Sequence, residues 1–508
     1  MSHSVVLLGQ LQIRRLRTKA LAWTDRQVDA FAAARVADRR GCAFTIGLES
    51  GLDAMATDAE KALLGNLDVA GNKNIVEFLV LDSAAKEWMP RATRVTTSVD
   101  GDDLKARSVT RNRRGEVVSE GSSLIDSNNV RSIHGFGDHA DELITFARMG
   151  ADLIVTADPE LIGQRNQGKF VALNLMTPGE AAVLIGVWSR TIHQAFFPGY
   201  GVNNGHYYWV TARALTPSAW PGHCAFVHGE RVLPNGPEME DLAGSILDHL
   251  KMLIRGLDRM MATWQCPINN DTTDELLHDF AHVVEDAWTV HDNIALLAGR
   301  YLAITMDNPN GPGWDLVNKN WRKAIRDCGD ARGPALLDYL RSDDPAMRSI
   351  KALRNHLGHR ARDRMIQGQI LGGDEEAWIK LDGDLLEGLV RDLAQTPEGT
   401  AGWGLAPVTP VQRVHASNTD GEAWEQIEPA HTSLDVMSFA ARTIAHTAAT
   451  ADAAFRILAP QTDDRIPHRD RCQGIPQDQD WAGDHIADFA LACSGIAGLV
   501  DRHGAMST

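Results

Sequence analysis

The chain has no Cys-x-x-Cys pair. Its six cysteines (Cys42, Cys224, Cys266, Cys328, Cys472 and Cys493) are scattered through 508 residues. That spacing argues against a cysteine-rich zinc site or a disulfide framework, and makes a reducing cytoplasm the expected compartment. No uninterrupted apolar run approaches the roughly 18 residues that a membrane-spanning helix needs, so no membrane partner is expected. The patch Val5-Val6-Leu7-Leu8 is followed rather than preceded by basic residues, and reads as a first strand instead of a signal peptide. An excess of positive charge is missing too. Lys and Arg number 50 against 67 Asp and Glu, for a formal net charge of −17. This argues against coating nucleic acid through a broad cationic face, yet leaves room for a pocket that grips one or two phosphates. The clusters Arg14, Arg15, Arg17, Lys19 and Arg107, Arg111, Arg113, Arg114 read first as solvated surface. Internal repeats and long low-complexity tracts are also absent.

What is present divides the chain in two. A length of 508 residues exceeds one ordinary core and predicts two or three domains. Up to about Phe196, apolar β-rich runs (Cys42 to Leu48, Ile75 to Leu81, Asp152 to Val155, Phe170 to Leu175) alternate with amphipathic segments such as Asp141 to Met149 and Pro178 to Gln194. This alternation predicts an α/β domain with a mostly parallel sheet over residues 1–198. Residues 199–237 are rich in Gly, Asn and Pro around the strand-like runs Tyr207 to Ala212 and Cys224 to Val232, and predict a β-rich linker or appendage. Within them Gly199 to Gly205 lacks a following Lys-Ser/Thr pair and reads as a turn, not a phosphate loop.

From residue 238 to the end, helices are expected. Leu242, Ile246, Leu250, Leu253, Leu257, Met260 and Trp264 form one apolar stripe. Thr272-x-x-Glu275 is a capping box that opens a helix to about Ile304. Asp344 followed by Pro345 starts a third, as N-cap and first-turn proline. Ser433 to Leu458 and Trp481 to Val500 give two more. Residues 367–432 turn irregular, with possible strands at Trp378 to Leu381 and Gln412 to His415, and read as an insertion.

The helix begun by Asp344-Pro345 places Ile350, Leu353 and Leu357 on an inward face. Asn355 and His359, four residues apart, then share a face that points away from the domain's own core. Arg354 lies about 140° round from His359, so a kink near Gly358 or a second copy of the chain is needed to aim both at one phosphate. Arg354-Asn355-His356-Leu357-Gly358-His359 resembles the Arg-Asn-x-x-x-His signature of HEPN domains, helical bundles shared by many toxins and antiviral defence proteins. The resemblance covers about Met239 to Asp501. It implies a HEPN-type endoribonuclease that cuts RNA without a metal or other cofactor, by attack of the ribose 2′-hydroxyl on the adjacent phosphate. It also implies a general acid/base in His359, phosphorane stabilisation by Arg354 and orientation of the histidine by Asn355. Histidine transfers protons near neutral pH, and arginine's planar fork matches phosphate oxygens, so two of these roles have a physical basis as well. A homodimer apposing two motif helices is expected, together with a toxin–antitoxin or defence setting and its antitoxin or trigger.

A second resemblance lies in the N-terminal half. Asp138-His139-Ala140-Asp141-Glu142, then Gly150 to Asp158 with its Ile-Val-Thr-Ala-Asp ending, resembles the latter half of a PIN-like nuclease domain. It implies that Asp138, Asp141 and Asp158 hold Mg²⁺ or Mn²⁺ at strand ends, a reasonable place for hard cations. The family's first strand ends in Asp, whereas Val5 to Leu8 is followed by Gly9-Gln10; Asp82 is the substitute on offer. His278-Asp279-Phe280-Ala281-His282 mimics His-Glu-x-x-His, but its aspartate falls one methylene short of a bound water, and it reads as a solvated helix face. Two alternatives to the ribonuclease stay open: a non-catalytic HEPN module that binds a nucleotide or partner, and a metal-dependent PIN-like nuclease dimerised by the helical half.

Overall fold

The computed structural model describes residues 44–49, 51–70, 76–81, 93–100, 103–111, 117–126, 151, 153–166, 175–191, 204–229, 236–264, 270–304, 319–339, 344–359, 365–369, 375–381, 383–408, 411–415, 422–426, 431–458 and 493–494. The protein is mostly helical, with a parallel sheet in its N-terminal region. Strand β1 (Phe44–Leu48) is central, and helices α1 (Leu52–Met55) and α2 (Asp58–Ala70) carry the chain to β2 (Val76–Leu81) at its side. Strands β3 (Thr93–Asp100), β4 (Asp103–Arg111) and β5 (Val117–Asp126) extend that edge. Of these, β3 joins β2 in parallel and the next two continue as antiparallel hairpins. The chain then returns to the opposite side of β1 with β6 (Leu153–Val155), α3 (Pro159–Asn166) and β7 (Leu175–Met176). Five parallel strands in the order β3-β2-β1-β6-β7 thus make up most of a seven-stranded sheet. Ile46, Leu48, Val80, Val155 and Met176 are fully buried, the near-continuous apolar reading expected of parallel strands covered on both faces.

The predicted helix after this sheet is α4 (Pro178–Thr191), opened by the reciprocal cap of Thr177 and Glu180. It packs on the sheet and α2 with one side and on the long helices with the other. Residues 204–229 correct the expected β-rich linker. They are two helices, α5 (Asn204–Leu215) and α6 (Ala219–Gly229), and α5 opens inside the glycine-rich run read as a turn. The residues that suggested strands, Tyr207, Tyr208, Val210, Phe226, are buried against the long helices and Phe455, so tertiary packing overrides their β propensity. Pro221 sits in the first turn of α6, where its missing N–H costs little.

The bundle is built on α7 (Gly236–Trp264) and α8 (Asn270–Tyr301), which run antiparallel, as the pairs Glu238 with Arg300, His249 with Asp286 and Asp279 with Arg259 require. The expected α7 stripe is the buried face: Ile246, Leu253 and Met260 are fully enclosed. Helices α9 (Lys319–Asp327), α10 (Arg332–Tyr339) and α11 (Pro345–His359) follow. Asp344 caps α11 as expected, accepting the N–H groups of Ala346 at 2.8 Å and Met347 at 3.2 Å.

The segment read as an irregular insertion is regular, and the second half is therefore not all-α. Strands β8 (Met365–Gln369) and β9 (Glu375–Lys380), helices α12 (Gly383–Leu393) and α13 (Gly399–Gly402), then β10 (Leu405–Val408), β11 (Val411–His415), β12 (Glu422–Gln426) and β13 (His431–Asp435) give a four-stranded antiparallel sheet β10-β13-β9-β8 and a hairpin β11-β12. Helix α14 (Val436–Leu458) begins later than the predicted Ser433 because β13 occupies its first residues. The expected strand at Val5 to Leu8 and the helices at Asp141 to Met149 and Trp481 to Val500 lie outside the described residues, save Cys493 and Ser494 in the last.

The buried apolar residues form one cluster, from Ile46 in β1 to Cys493. At its centre is a charge pair. Arg190, at the end of α4, is buried and donates from Nε and Nη2 to the two carboxylate oxygens of Asp258 on α7, the Nη2 contact being 2.8 Å. Nη2 also donates to the carbonyl of Cys493 at 2.9 Å, and the guanidinium lies 4.0 Å from the ring centre of Tyr207. Tyr208 lies near Asp258, and burial first and the Asp258 charge second push its pKa up. Burial works against the charge on Arg190, but Asp258 together with Tyr207 and Tyr208 more than offsets it, so the pKa is raised.

Two outcomes follow from this core. Asp258→Ala leaves Arg190 charged and unpaired in the interior, and is expected to cost about 3–5 kcal/mol in a urea unfolding titration; a loss under about 1 kcal/mol contradicts the central role given to the pair. His291 is fully buried, and burial, with His446 nearby, holds its pKa well below the usual imidazole value. The unfolded chain binds that proton from about pH 6.5 downward while the folded chain does not. The contribution is therefore complete above about pH 6.5 and declines below it, by up to about 1.4 kcal/mol per pH unit. Unfolding titrations at pH 7.5 and 5.5 read this decline, which His291→Gln should flatten.

Candidate active site

Two places collect the residues singled out from the sequence. The first is the C-terminal end of α11. Ile350 and Leu353 are fully buried and Leu357 packs against the core, so the predicted inward face is correct. Asn355 is exposed, as expected for a residue on the opposite side. His356, which carried no expectation, is buried. His359 is the last residue of the helix, and its side chain lies outside the described residues.

Arg354 is not directed freely into solvent. Its Nε donates to Oε2 of Glu285 at 2.8 Å and its Nη2 to Oε1 at 2.9 Å, a bidentate fork onto α8. The guanidinium also lies 5.8 Å from the ring centre of Trp288, over which Lys351 Nζ sits at 5.7 Å. The hydrogen bonds that Arg354 donates to Glu285 raise its pKa against partial burial, with the charges of Glu285 and Asp292 adding to the effect. An exposed pair of this kind contributes little stability, about 0–1 kcal/mol. Its geometric content is larger: the planar fork is oriented, and a phosphate offering two oxygens could take the place of the carboxylate.

The second place is the carboxyl edge of the parallel sheet. The chain leaves β1 toward β2 on one side and returns to β6 on the other, so strand order reverses at β1, the position where α/β sheets open a crevice. Glu49, immediately after β1, is fully buried there. Its Oε1 accepts the Gly51 N–H at 2.7 Å and its Oε2 the Thr156 hydroxyl at 3.4 Å, while its own N–H donates to the Val155 carbonyl. Thr156 Oγ1 in turn accepts the Asp158 N–H at 3.0 Å, and Asp158 Oδ1 accepts the Glu160 N–H at 2.7 Å, capping α3.

Of the expected cation ligands, Asp158 is therefore placed at the strand end and in a cap. Asp138 and Asp141 lie outside the described residues, as does the substitute Asp82. Among the described residues no three His, Cys, Asp or Glu side chains are grouped so as to hold a metal ion. The acid missed from the sequence is Glu49. It follows β1, the first strand among the described residues, and the PIN-like resemblance expects an acid at the end of the family's first strand. The available signal was the run Cys42 to Leu48 followed by Glu-Ser-Gly, an apolar strand ending in an acid and a turn.

Compared with models of known protein families, with curated proteins and with solved structures, the chain matches none.

The strand-end arrangement depends on Gly51. A Cβ built there would lie 2.6 Å from Glu49 Oε1, so a side chain forces the buried carboxylate out of its bond to the Gly51 N–H. Gly51→Ala is expected to destabilise the protein by about 1–3 kcal/mol. Thermal unfolding of the variant measures this; an unchanged midpoint would show that Glu49 can turn away at no cost.

Proposed function

We propose that the protein is a metal-independent endoribonuclease of the HEPN type, with its catalytic face at the C-terminal end of α11. The observation that carries this reading is the pairing of an exposed Asn355 with an arginine fork on a helix whose other face is buried. In this reading a phosphate of the RNA replaces Glu285 on Arg354, which then faces the charge that grows on the phosphorane oxygens. His359 takes the proton from the ribose 2′-hydroxyl; the 2′-oxygen bonds to phosphorus, and the bond to the 5′-oxygen breaks. The leaving 5′-oxygen receives a proton from a second acid, for which the histidine of a twofold-related chain is proposed. The products are a 2′,3′-cyclic phosphate and a 5′-hydroxyl. A defence or toxin role, with an antitoxin or trigger, belongs to the same proposal and rests on the resemblance of the Arg354 to His359 motif.

A second reading is favoured by Glu49: a phosphodiesterase at the carboxyl edge of the PIN-like sheet, using Glu49 and Asp158 with Mg²⁺ or Mn²⁺. The described residues do not complete a cation site, because no third His, Cys, Asp or Glu joins Glu49 and Asp158 among them. The helical half would then dimerise the chain.

One assay separates the readings. Purified protein incubated with total RNA should cut it in the presence of EDTA and leave 2′,3′-cyclic ends, and His359→Ala should lower the rate at least about 100-fold. Cleavage that vanishes with EDTA and with Asp158→Asn, but survives His359→Ala, overturns the first reading in favour of the second.

A further inference from the structure

We propose that His278 and His282 form a binding site for a late first-row transition-metal ion, of the zinc, nickel and copper class, on the exposed face of α8. The inference is independent of the ribonuclease reading. The two histidines are four residues apart in the first half of α8, so they lie on one face one turn apart, and both are exposed. Their Nε2 atoms face each other at 3.1 Å, with ring planes 87° apart and ring centres separated by 4.4 Å. Without an ion, this contact requires one imidazole to present an N–H and the other a lone pair.

An ion between them accepts both lone pairs instead. Histidine nitrogen bonds zinc at about 2.0–2.1 Å, and two such bonds ending 3.1 Å apart enclose an angle of roughly 95–100°. That angle lies between the square or octahedral value and the tetrahedral one, so the pair suits copper, nickel and zinc alike. Imidazole nitrogen selects this class over magnesium or calcium, which prefer oxygen.

The intervening Asp279 is not a ligand or a general base. Its carboxylate pairs with Arg259 of α7 at 3.0 Å, and burial pushes its pKa up. The site is thus unlike the zinc-protease motif it mimics. No third His, Cys, Asp or Glu completes the shell among the described residues, so the remaining positions belong to water or to a donor from outside the chain. The same exposed face of α8 carries Glu285, one turn beyond His282, which holds Arg354. A bound ion would therefore brace the turn that presents the Arg354 fork.

The test is isothermal titration of the full chain, stripped with chelator and dialysed, with nickel chloride and separately with zinc chloride. The expected result is one saturable site per chain, weakened at least about tenfold in His278→Ala and likewise in His282→Ala, with the double variant weaker than either single one. Both positions are exposed, so the variants should fold; their circular dichroism checks this, and His282→Asn serves as a second, polar substitution. Nickel should also raise the melting temperature of the wild type but not of the variants. No saturable binding by the wild type, or binding that both single variants keep at full affinity, overturns the proposal.

Discussion

Arg190 can occupy the interior only because three other parts of the chain meet its charge. Asp258 of α7 takes two of its N–H bonds, Tyr207 of α5 offers the face of its ring, and the carbonyl of Cys493 takes another hydrogen bond. Tyr208 completes the surroundings of Asp258. A buried ion pair is poor evidence of net stability, because desolvation offsets much of its attraction. Removing one partner is a different matter, since the remaining charge is stranded. The pair therefore acts as a coupling device: the end of the α/β layer, the first long helix of the bundle and the segment at Cys493 must all be in place together. Gly186 serves the same junction. A Cβ there would lie 2.5 Å from the Cys493 carbonyl and 2.7 Å from Arg190 Nη1, so only glycine admits the closeness of that segment.

The two candidate sites differ in their electrostatics. At the strand ends the acids are buried and absorbed by local hydrogen bonds: Glu49 by Gly51 and Thr156, Asp158 by the first turn of α3. At the end of α11 Asn355 is exposed, and Arg354 is held by an ion pair with a surface carboxylate that solvent screens. An anion can compete for Arg354, whereas a cation at Glu49 must first displace bonds made in the interior. This difference in accessibility, more than any difference in residue type, ranks the α11 site ahead of the strand-end site.

Much of the helical frame was legible because it rests on periodicity. The α7 stripe, the Asp344 cap and the buried Ile350 and Leu353 all follow from side chains that repeat with the helical turn, and a cap declares itself by its own residue type. Strand ends were legible where an apolar run stopped at an acid and a turn, as at Asp158. Glu49 went unnoticed because the acid of the first strand was sought after Val5 to Leu8, which lie outside the described residues, and nothing local singles out one apolar strand of a sheet from another. Helices α5 and α6 were misread for a related reason. Tyr, Trp and Val favour strands when judged singly, and only contact with α7 and Phe455 turns them into one face of a helix.

By itself the sequence determined the alternation of strands and helices in the first half, the long amphipathic helices of the second, the capped helix carrying Arg354, Asn355 and His359, and the acidic charge balance. These are properties of neighbours within a few turns of chain, where period and propensity act directly. Only the tertiary structure decided that Arg354 is forked onto Glu285, 69 positions away in sequence, and that Arg190 closes on Asp258 across 68. It alone decided that Glu49 lies beside Thr156 across 107. The physical reason is that a charge selects its partner by proximity and exclusion of water, and proximity between distant segments exists only after the apolar faces have packed.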